Sequence, residues 1–137
     1  MAKDKYHDLV KHSLENEGWT ITDDPLYVDT QRRKVKIDLA AERLIGAEKN
    51  GEKIAVEIKS FINLSQVYDF YRALGQTLYY SVALEFVESD RVLFLAIPDD
   101  TYFDFFSEPI TQEIIKRFSI RLIVYSIIDE KIVEWKK

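Results

Sequence analysis

The chain has 137 residues, 47% of them hydrophobic, with two histidines, no cysteine and a net charge of −5 at pH 7. This length and apolar content predict a single domain, residues 1–137, and the lack of cysteine excludes disulfides and thiolate metal sites. No apolar run approaches the about 20 residues of a membrane helix, the N-terminus has no signal-peptide pattern, and the negative charge argues against tight non-specific DNA binding. We therefore expect a cytoplasmic protein.

The first predicted elements are a helix and a short strand. The helix covers residues 4–17, with Asp4 as a candidate N-cap and Gly18 as a C-terminal stop. Apolar side chains recur three and four residues apart along it, as one buried face of a helix requires. A strand follows over residues 19–22, and the turn composition Asp23-Asp24-Pro25 ends it.

Residues 34–61 concentrate the polar groups that could carry chemistry, and we predict a β-hairpin there. Apolar and polar side chains alternate along both arms, so each arm has a core face and a polar face. Asp38 lies on the polar face of the first arm, and Glu57 and Lys59 share that of the second. Metal-dependent hydrolysis of a phosphodiester uses such groups, with hard oxygen ligands for Mg²⁺ and a cation beside the attacking water. The carbonyl of Ile58 is a candidate further ligand.

The register of this hairpin leaves alternatives open. A tight two-residue turn at Asn50-Gly51 is the strongest local signal, but uninterrupted pairing from it sets Asp38 opposite Asn63. The two carboxylates would then lie about 20 Å apart along the strands, too far to share one metal ion. They converge if the loop is wider, over residues 46–51, or if a bulge over residues 40–44 shifts the register. A metal site shared by Asp38 and Glu57 requires one of these two arrangements.

A long helix is predicted over residues 65–84, with Asn63 or Ser65 as its cap. Its predicted apolar face consists of Val67, Phe70, Tyr71, Leu74, Leu78 and Val82. Gln76 and Tyr80 are four residues apart and share one side of the helix.

The C-terminal third alternates strands and helices. Residues 91–97 and 120–128 are continuous apolar runs, typical of strands buried on both faces. A helical turn over residues 101–106 and a helix over 111–118 lie between them, and residues 131–135 form an edge strand. The order α-β-β-β-α-β-α-β predicts an α/β fold, a central mixed sheet flanked by helices.

Three sets of residues carry a resemblance to known families. Asp38 and Glu57-Ile58-Lys59 resemble the PD-(D/E)xK nuclease motif, with Ile37 where the motif has proline. Gln76 through Tyr80 resembles the Q-x-x-x-Y helix of RecB-like nucleases. Nearly the whole chain, from AKDKYHDLVKHSLENEGWTITDDPLYV through AVEIKSF to this helix, resembles the XisH family, the cyanobacterial fdxN-element excision controlling factor.

The resemblance implies a restriction-endonuclease-like fold and a set of site residues. Asp38, Glu57 and the Ile58 carbonyl would hold Mg²⁺ or Mn²⁺, and Lys59 would position the attacking water. Gln76 would assist, and Tyr80 would brace the site. His7 stands where the XisH pattern has a histidine, so it is a further candidate for the cleft. DNA, a small XisI-like companion protein and a site-specific recombinase are the implied partners, and a homodimer is compatible with the fold.

Three functional interpretations follow. In the first, the chain is a magnesium-dependent deoxyribonuclease, cleaving or nicking DNA as it controls excision of an element. In the second, it is a catalytically silent module of nuclease fold that acts by binding a companion protein, a recombinase or DNA. In the third, the carboxylates do not converge and Glu57 pairs only with Lys59, Lys53 or Arg43. The intact acid and lysine set favours the first as chemistry, because a binding scaffold has no reason to bring like charges together.

Overall fold

The computed structural model describes residues 6–29, 34–35, 44–62 and 64–137, which form eight strands, four α-helices and one 3-10 turn. In chain order the elements are α1 (His7–Asn16), β1 (Thr20–Asp23), β2 (Val28–Asp29), β3 (Lys34–Val35), β4 (Leu44–Lys49), β5 (Glu52–Ile58), α2 (Gln66–Val87), β6 (Arg91–Pro98), α3 (Asp99–Phe103), the 3-10 turn (Phe105–Ser107), α4 (Pro109–Arg117), β7 (Leu122–Ser126) and β8 (Lys131–Lys136). Asp4, Asp38 and Asn63 lie outside the described residues.

Six strands form one mixed sheet in the order β1-β4-β5-β6-β7-β8, and β2 pairs with β3 separately. The central strands β5, β6 and β7 are parallel, while β1, β4 and β8 run antiparallel to their neighbours. The predicted mixed sheet flanked by helices is therefore confirmed. Strand β6 is buried along nearly its whole length, which explains its unbroken apolar sequence.

The β4–β5 hairpin turns tightly at Asn50-Gly51, where both residues have positive φ angles of 52° and 82°. Pairing runs without interruption from Lys49 opposite Glu52 to Leu44 opposite Glu57. The expected wider loop over residues 46–51 is therefore wrong, because residues 46–49 are already paired in the strand. The alternative bulge falls mostly on residues outside the described part of the chain.

The first arm of this hairpin also differs from the sequence prediction. It covers Leu44–Lys49, whereas the alternating pattern predicted it over residues 35–42. Val35 pairs instead with Val28, in the two-stranded ribbon. The turn geometry decided the pairing, because a two-residue turn fixes which residues lie opposite one another.

The helices begin and end at local signals in the sequence. Gly18 follows α1 with a φ of 96°, the left-handed conformation that glycine adopts without strain, as the sequence predicted. The Ser65 side chain caps α2 by accepting a hydrogen bond from the Tyr68 amide at 3.2 Å. Pro109 opens α4 at a position where its missing amide costs nothing.

The core lies on both faces of the sheet, and the alternation along β5 shows which residues face α1 and which face α2. Ile54, Val56 and Ile58 pack on the α1 side, with residues such as Leu14 and Phe94. The odd-numbered residues of β5 face the other way, toward α2. Among the residues described, none of the helices combines the length and apolar character that crossing a bilayer requires.

The buried side of α2 only partly overlaps the one that the sequence predicted: Phe70 is buried and Leu74 is partly buried against the core, as expected, but the other four residues are exposed. Its buried residues are Phe70, Ala73, Thr77, Tyr80, Ala83 and Leu84. Val67, Tyr71, Leu78 and Val82, which were expected in the core, are exposed. The helix carries large apolar residues at almost every angle, so periodicity alone could not select the side. The side that packs against the sheet includes two alanines, whose small side chains allow close contact.

Candidate functional site

Glu57 places a carboxylate inside the molecule. It lies near the end of β5 on the α2 side, and only 1% of it is exposed. The Thr77 hydroxyl on α2 donates a hydrogen bond to its Oε1 at 3.0 Å. A buried carboxylate is costly unless charged or polar groups satisfy it, so this position is a departure from an ordinary core.

Lys59 completes a buried ion pair with this carboxylate. Its Nζ lies 3.6 Å from Glu57 Oε2 and donates to Gln76 Oε1 at 2.5 Å. The two charged residues are two apart on an extended chain, which aims both side chains at the same face of α2. Lys59 is 7% exposed, so little solvent screens the pair.

The backbone of Lys59 is held from two further directions. Its amide donates to the Ala96 carbonyl of β6 at 3.0 Å, which extends the parallel pairing one residue beyond β5. Its carbonyl accepts a hydrogen bond from the Tyr125 hydroxyl at 2.9 Å. Tyr125 belongs to the core on the α1 side, so this contact connects the two faces of the sheet.

Helix α2 supplies the other half of the site through adjacent residues. Gln76 contacts Lys59 and Thr77 contacts Glu57, so one turn of helix covers both charges. Tyr80 is buried on the same side of the sheet, within a cluster that includes Ala55 and Leu93. Thr77 was missed by the sequence prediction, although it stands in the buried series at positions 70, 73, 77, 80 and 84. That series can be recognised only once the buried side of α2 is known, so the sequence alone gave no signal for Thr77.

The predicted metal ligands are only partly described. Asp38 lies outside the described residues, and Ile58 buries its side chain on the α1 side, leaving its carbonyl as the predicted donor. Within the part of the chain that the structure describes, no three His, Asp or Glu side chains form a group able to hold a metal ion. The structure brings together Glu57, Lys59 and Gln76, and the metal site stays a prediction.

His7 lies in a second polar cluster. It is 1% exposed, with Nε2 3.0 Å from an Asp24 carboxylate oxygen and Nδ1 3.2 Å from Asp8 Oδ1. Lys11 donates to the other Asp24 oxygen at 2.9 Å, and this hydrogen bond raises the pKa of Lys11. The contacts of His7 are therefore with α1 and the turn after β1. Its predicted role in the cleft stays a prediction.

A basic cleft lies on the same side of the sheet as Glu57. Lys116, Arg121, Lys136 and Lys137 line it, together with Ile115, Ser119 and Ile120, around a volume of about 390 Å³. Lys136 on β8 pairs with Leu122 on β7. Leu122 pairs with Leu95 on β6, and Leu95 pairs with Glu57 on β5. Three strand spacings separate the cleft from the carboxylate, about 14 Å. Lys136 also packs over the Tyr102 ring, and hydrogen bonds to Tyr102 and Glu134 raise its pKa.

Comparisons with known proteins give a consistent result. The family model described as XisH protein matches residues 1–133. An fdxN element excision controlling factor protein from Anabaena variabilis is 41% identical, with a TM-score of 0.89 over 96% of this chain and 98% of that chain. An XisH family protein from Nostoc punctiforme PCC 73102 is 38% identical, with a TM-score of 0.90 over 98% of this chain and 100% of that chain. No curated protein matched the sequence.

Proposed function

Because the chain belongs to the XisH family, we propose that it controls the excision of a DNA element by site-specific recombination. We further propose that it does so with a metal-dependent site of its own that cleaves or nicks DNA. The buried arrangement of Glu57, Lys59, Gln76 and Thr77 is the observation that carries this second step.

The energetic argument starts from the cost of burying charge. Taking a carboxylate and an ammonium out of water costs several kcal/mol per ion, and well-packed apolar residues would often be as stable. A surface that only binds a partner gains nothing from this arrangement. Here the pair also occupies two adjacent helical positions, Gln76 and Thr77, for its hydrogen bonds. We infer that chemistry requires the pair.

Each residue has a distinct proposed role. The Glu57 carboxylate and the Ile58 carbonyl are hard oxygen donors that suit Mg²⁺ or Mn²⁺, and Asp38 is the further carboxylate expected from the sequence motif. When bound, such an ion supplies a Lewis acid at the scissile phosphate. Lys59 orients the attacking water and offsets the negative charge that develops on the phosphate. Gln76 is a positioning residue, because its contact fixes the direction of the lysine side chain.

The basic cleft supports DNA as the substrate. Four cations line it on a chain whose net charge is −5, so the cleft is a locally basic surface on an acidic chain. Lysine and arginine side chains of this kind contact phosphates without reading sequence. A duplex lying across this face would reach from the cleft toward Glu57.

The second candidate function is a catalytically silent regulator of the same fold. The low exposure of Glu57 and Lys59 favours it, because a carboxylate that is 1% exposed offers little surface to a bound phosphate. In this case the family activity would depend on a companion protein or a recombinase.

Metal titration and DNA cleavage on matched variants test the proposal. We expect calorimetry to detect Mg²⁺ or Mn²⁺ binding to the wild type and to Glu52→Gln, which changes an exposed carboxylate at the far end of the same strand. Glu57→Gln should lose that binding and all DNA cleavage. Lys59→Met should lose cleavage, while Lys53→Met, near the start of the strand, should keep it.

Two results would contradict the catalytic proposal. The first is an absence of metal binding by the wild type at millimolar concentration, which would leave the silent regulator as the function. The second is cleavage by Glu57→Gln at the wild-type rate, which would move the activity to another site or to a contaminant.

A further inference from the structure

Thr77 is a polar residue on the buried side of α2, near the middle of the helix. It is 4% exposed, and its hydroxyl donates to Glu57 Oε1 at 3.0 Å. Threonine is a weaker helix former than alanine, and a threonine hydroxyl inside a helix commonly donates to the carbonyl four residues earlier. A hydroxyl has a single proton to donate, and at Thr77 that proton goes to the carboxylate of another element. The hydroxyl therefore serves Glu57 rather than its own helix.

The Glu57 side chain needs such a contact to keep one orientation. Its backbone is fixed, because it pairs with Leu44 on β4 and with Leu95 on β6. The last side-chain torsion of a glutamate, which rotates the plane of the carboxylate, has a broad energy minimum. A hydrogen bond to Oε1 from the middle of a long helix restricts this rotation and leaves Oε2 directed at Lys59.

The ion pair between Lys59 and Glu57 is longer than a direct hydrogen bond. Lys59 Nζ lies 3.6 Å from Glu57 Oε2, whereas a charge-assisted hydrogen bond between such groups has a length of about 2.7–2.9 Å. Each partner has a shorter contact with α2, Lys59 with Gln76 at 2.5 Å and Glu57 with Thr77 at 3.0 Å. Two adjacent helical residues thus hold the two charges side by side at this separation.

We propose that Thr77 is the positioning residue of Glu57, as Gln76 is of Lys59. Its hydroxyl sets the direction of Oε2, the oxygen that faces Lys59, and keeps the carboxylate from turning onto the ammonium. A carboxylate held in this way can serve as a ligand to a divalent cation, a step that rests on the proposed nuclease function. A residue that orients a metal ligand changes the affinity for the ion without contacting the ion itself.

Paired substitutions at Thr77 separate the hydroxyl from the shape of the side chain. Thr77→Val keeps the branched shape and removes the hydroxyl, whereas Thr77→Ser keeps the hydroxyl and removes the methyl group. We expect Thr77→Val to raise the Kd for Mn²⁺, measured by calorimetry, about 10–100-fold, and Thr77→Ser to stay within about threefold of the wild type. Thr111→Val, which removes the hydroxyl of a similarly buried threonine on α4, is the matched control and should leave the Kd unchanged.

The pattern across these variants decides whether the hydroxyl is the group that matters. Circular dichroism first establishes that each variant is folded under the titration conditions, so that a higher Kd does not reflect a loss of structure. Thr77→Val with the wild-type Kd would overturn the proposal. So would a Thr77→Ser variant that binds as weakly as Thr77→Val, because the methyl group and not the hydroxyl would then hold the carboxylate.

Nitrogen NMR of the Lys59 ammonium tests the orientation of the carboxylate without any metal. The burial of this ammonium and its hydrogen bond to Gln76 slow proton exchange with water, which makes the signal observable. We expect Thr77→Val to shift the signal, because the carboxylate turns toward the ammonium, and Thr77→Ser and Thr111→Val to leave it in place. An unshifted signal in Thr77→Val would overturn the proposal. A shifted signal together with no Mn²⁺ binding by the wild type would contradict the nuclease function and leave the positioning role of Thr77 intact.

Discussion

The two sides of α2 differ in a way that reverses the usual character of a helix packed on a sheet. The inward side places Thr77, with Gln76 beside it, against the buried Glu57 and Lys59. The outward side leaves Tyr68 and other large apolar residues in contact with solvent. An ordinary surface helix would bury its apolar residues and expose its polar ones.

This difference separates two kinds of departure from a stable fold. The inward polar groups have partners inside the chain: Thr77 donates to one Glu57 oxygen, and Lys59 forms an ion pair with the other, so these groups need no second molecule but cost desolvation. The outward apolar groups require no desolvation of charge, but they leave a large apolar area in contact with water. Stability measurements should therefore respond strongly to changes on the inward side and weakly to changes on the outward side.

The largest expected effect comes from breaking the buried ion pair. Glu57→Gln leaves the Lys59 ammonium buried beside a neutral group, and we expect the free energy of unfolding to fall by about 3–5 kcal/mol. Urea denaturation measures it. Glu52→Gln on the same strand is the control and should stay within about 0.5 kcal/mol of the wild type. A Glu57→Gln protein as stable as the control would show that removing the carboxylate leaves no uncompensated charge on Lys59 in the interior.

A smaller loss should follow from the hydroxyl that meets the same carboxylate. Thr77→Val keeps the shape of the side chain and removes the hydrogen bond to Glu57, so we expect a loss of about 2 kcal/mol. Thr22→Val removes a similar contact to an exposed carboxylate and should cost less than about 0.5 kcal/mol. Equal losses from the two variants would show that burial does not distinguish the inward side.

On the outward side, one substitution should raise stability. Gly75→Ala adds a methyl group in open space and improves helix propensity, so the free energy of unfolding should rise by about 1 kcal/mol. Urea denaturation measures the change. A less stable monomer would contradict the open space seen at Gly75.

The smallest effect on stability is expected at the exposed apolar residues of α2. Phe86 is 82% exposed, so Phe86→Ser should change the unfolding free energy of the monomer by less than about 0.5 kcal/mol. Phe70→Ser on the inward side, where the ring is 3% exposed, should cost at least about 3 kcal/mol. Similar losses from the two variants would erase the contrast between the two sides.

The sequence predicted the elements whose signals are local. Asn50-Gly51 specified the tight turn through the positive φ angles that these residues tolerate, and Gly18 marked the end of α1. The shared face of Glu57 and Lys59 also followed from the two-residue period of a strand, whereas the approach of Gln76 to Lys59 was expected only from the resemblance to the nuclease motif.

The remaining features depend on tertiary packing that no local pattern records. Alternation over residues 35–42 is compatible with a strand, but the tight turn sets the hairpin arm at Leu44–Lys49. The buried side of α2 could not be read from apolar spacing because apolar residues occupy both sides. Thr77 was passed over for the same reason, since its importance depends on the carboxylate that faces it.

The strand pairings also determine when water leaves the ion pair as the chain folds. The two-residue hairpin of β4 and β5 joins neighbouring segments and can close within about 1–10 μs, whereas β6 must return across the whole of α2. The Lys59 amide reaches its acceptor, Ala96, only when β6 has arrived. Glu57 and Lys59 therefore remain hydrated through the early steps of folding. The free-energy cost of desolvating them arises late, after most of the apolar surface that offsets this cost has been buried.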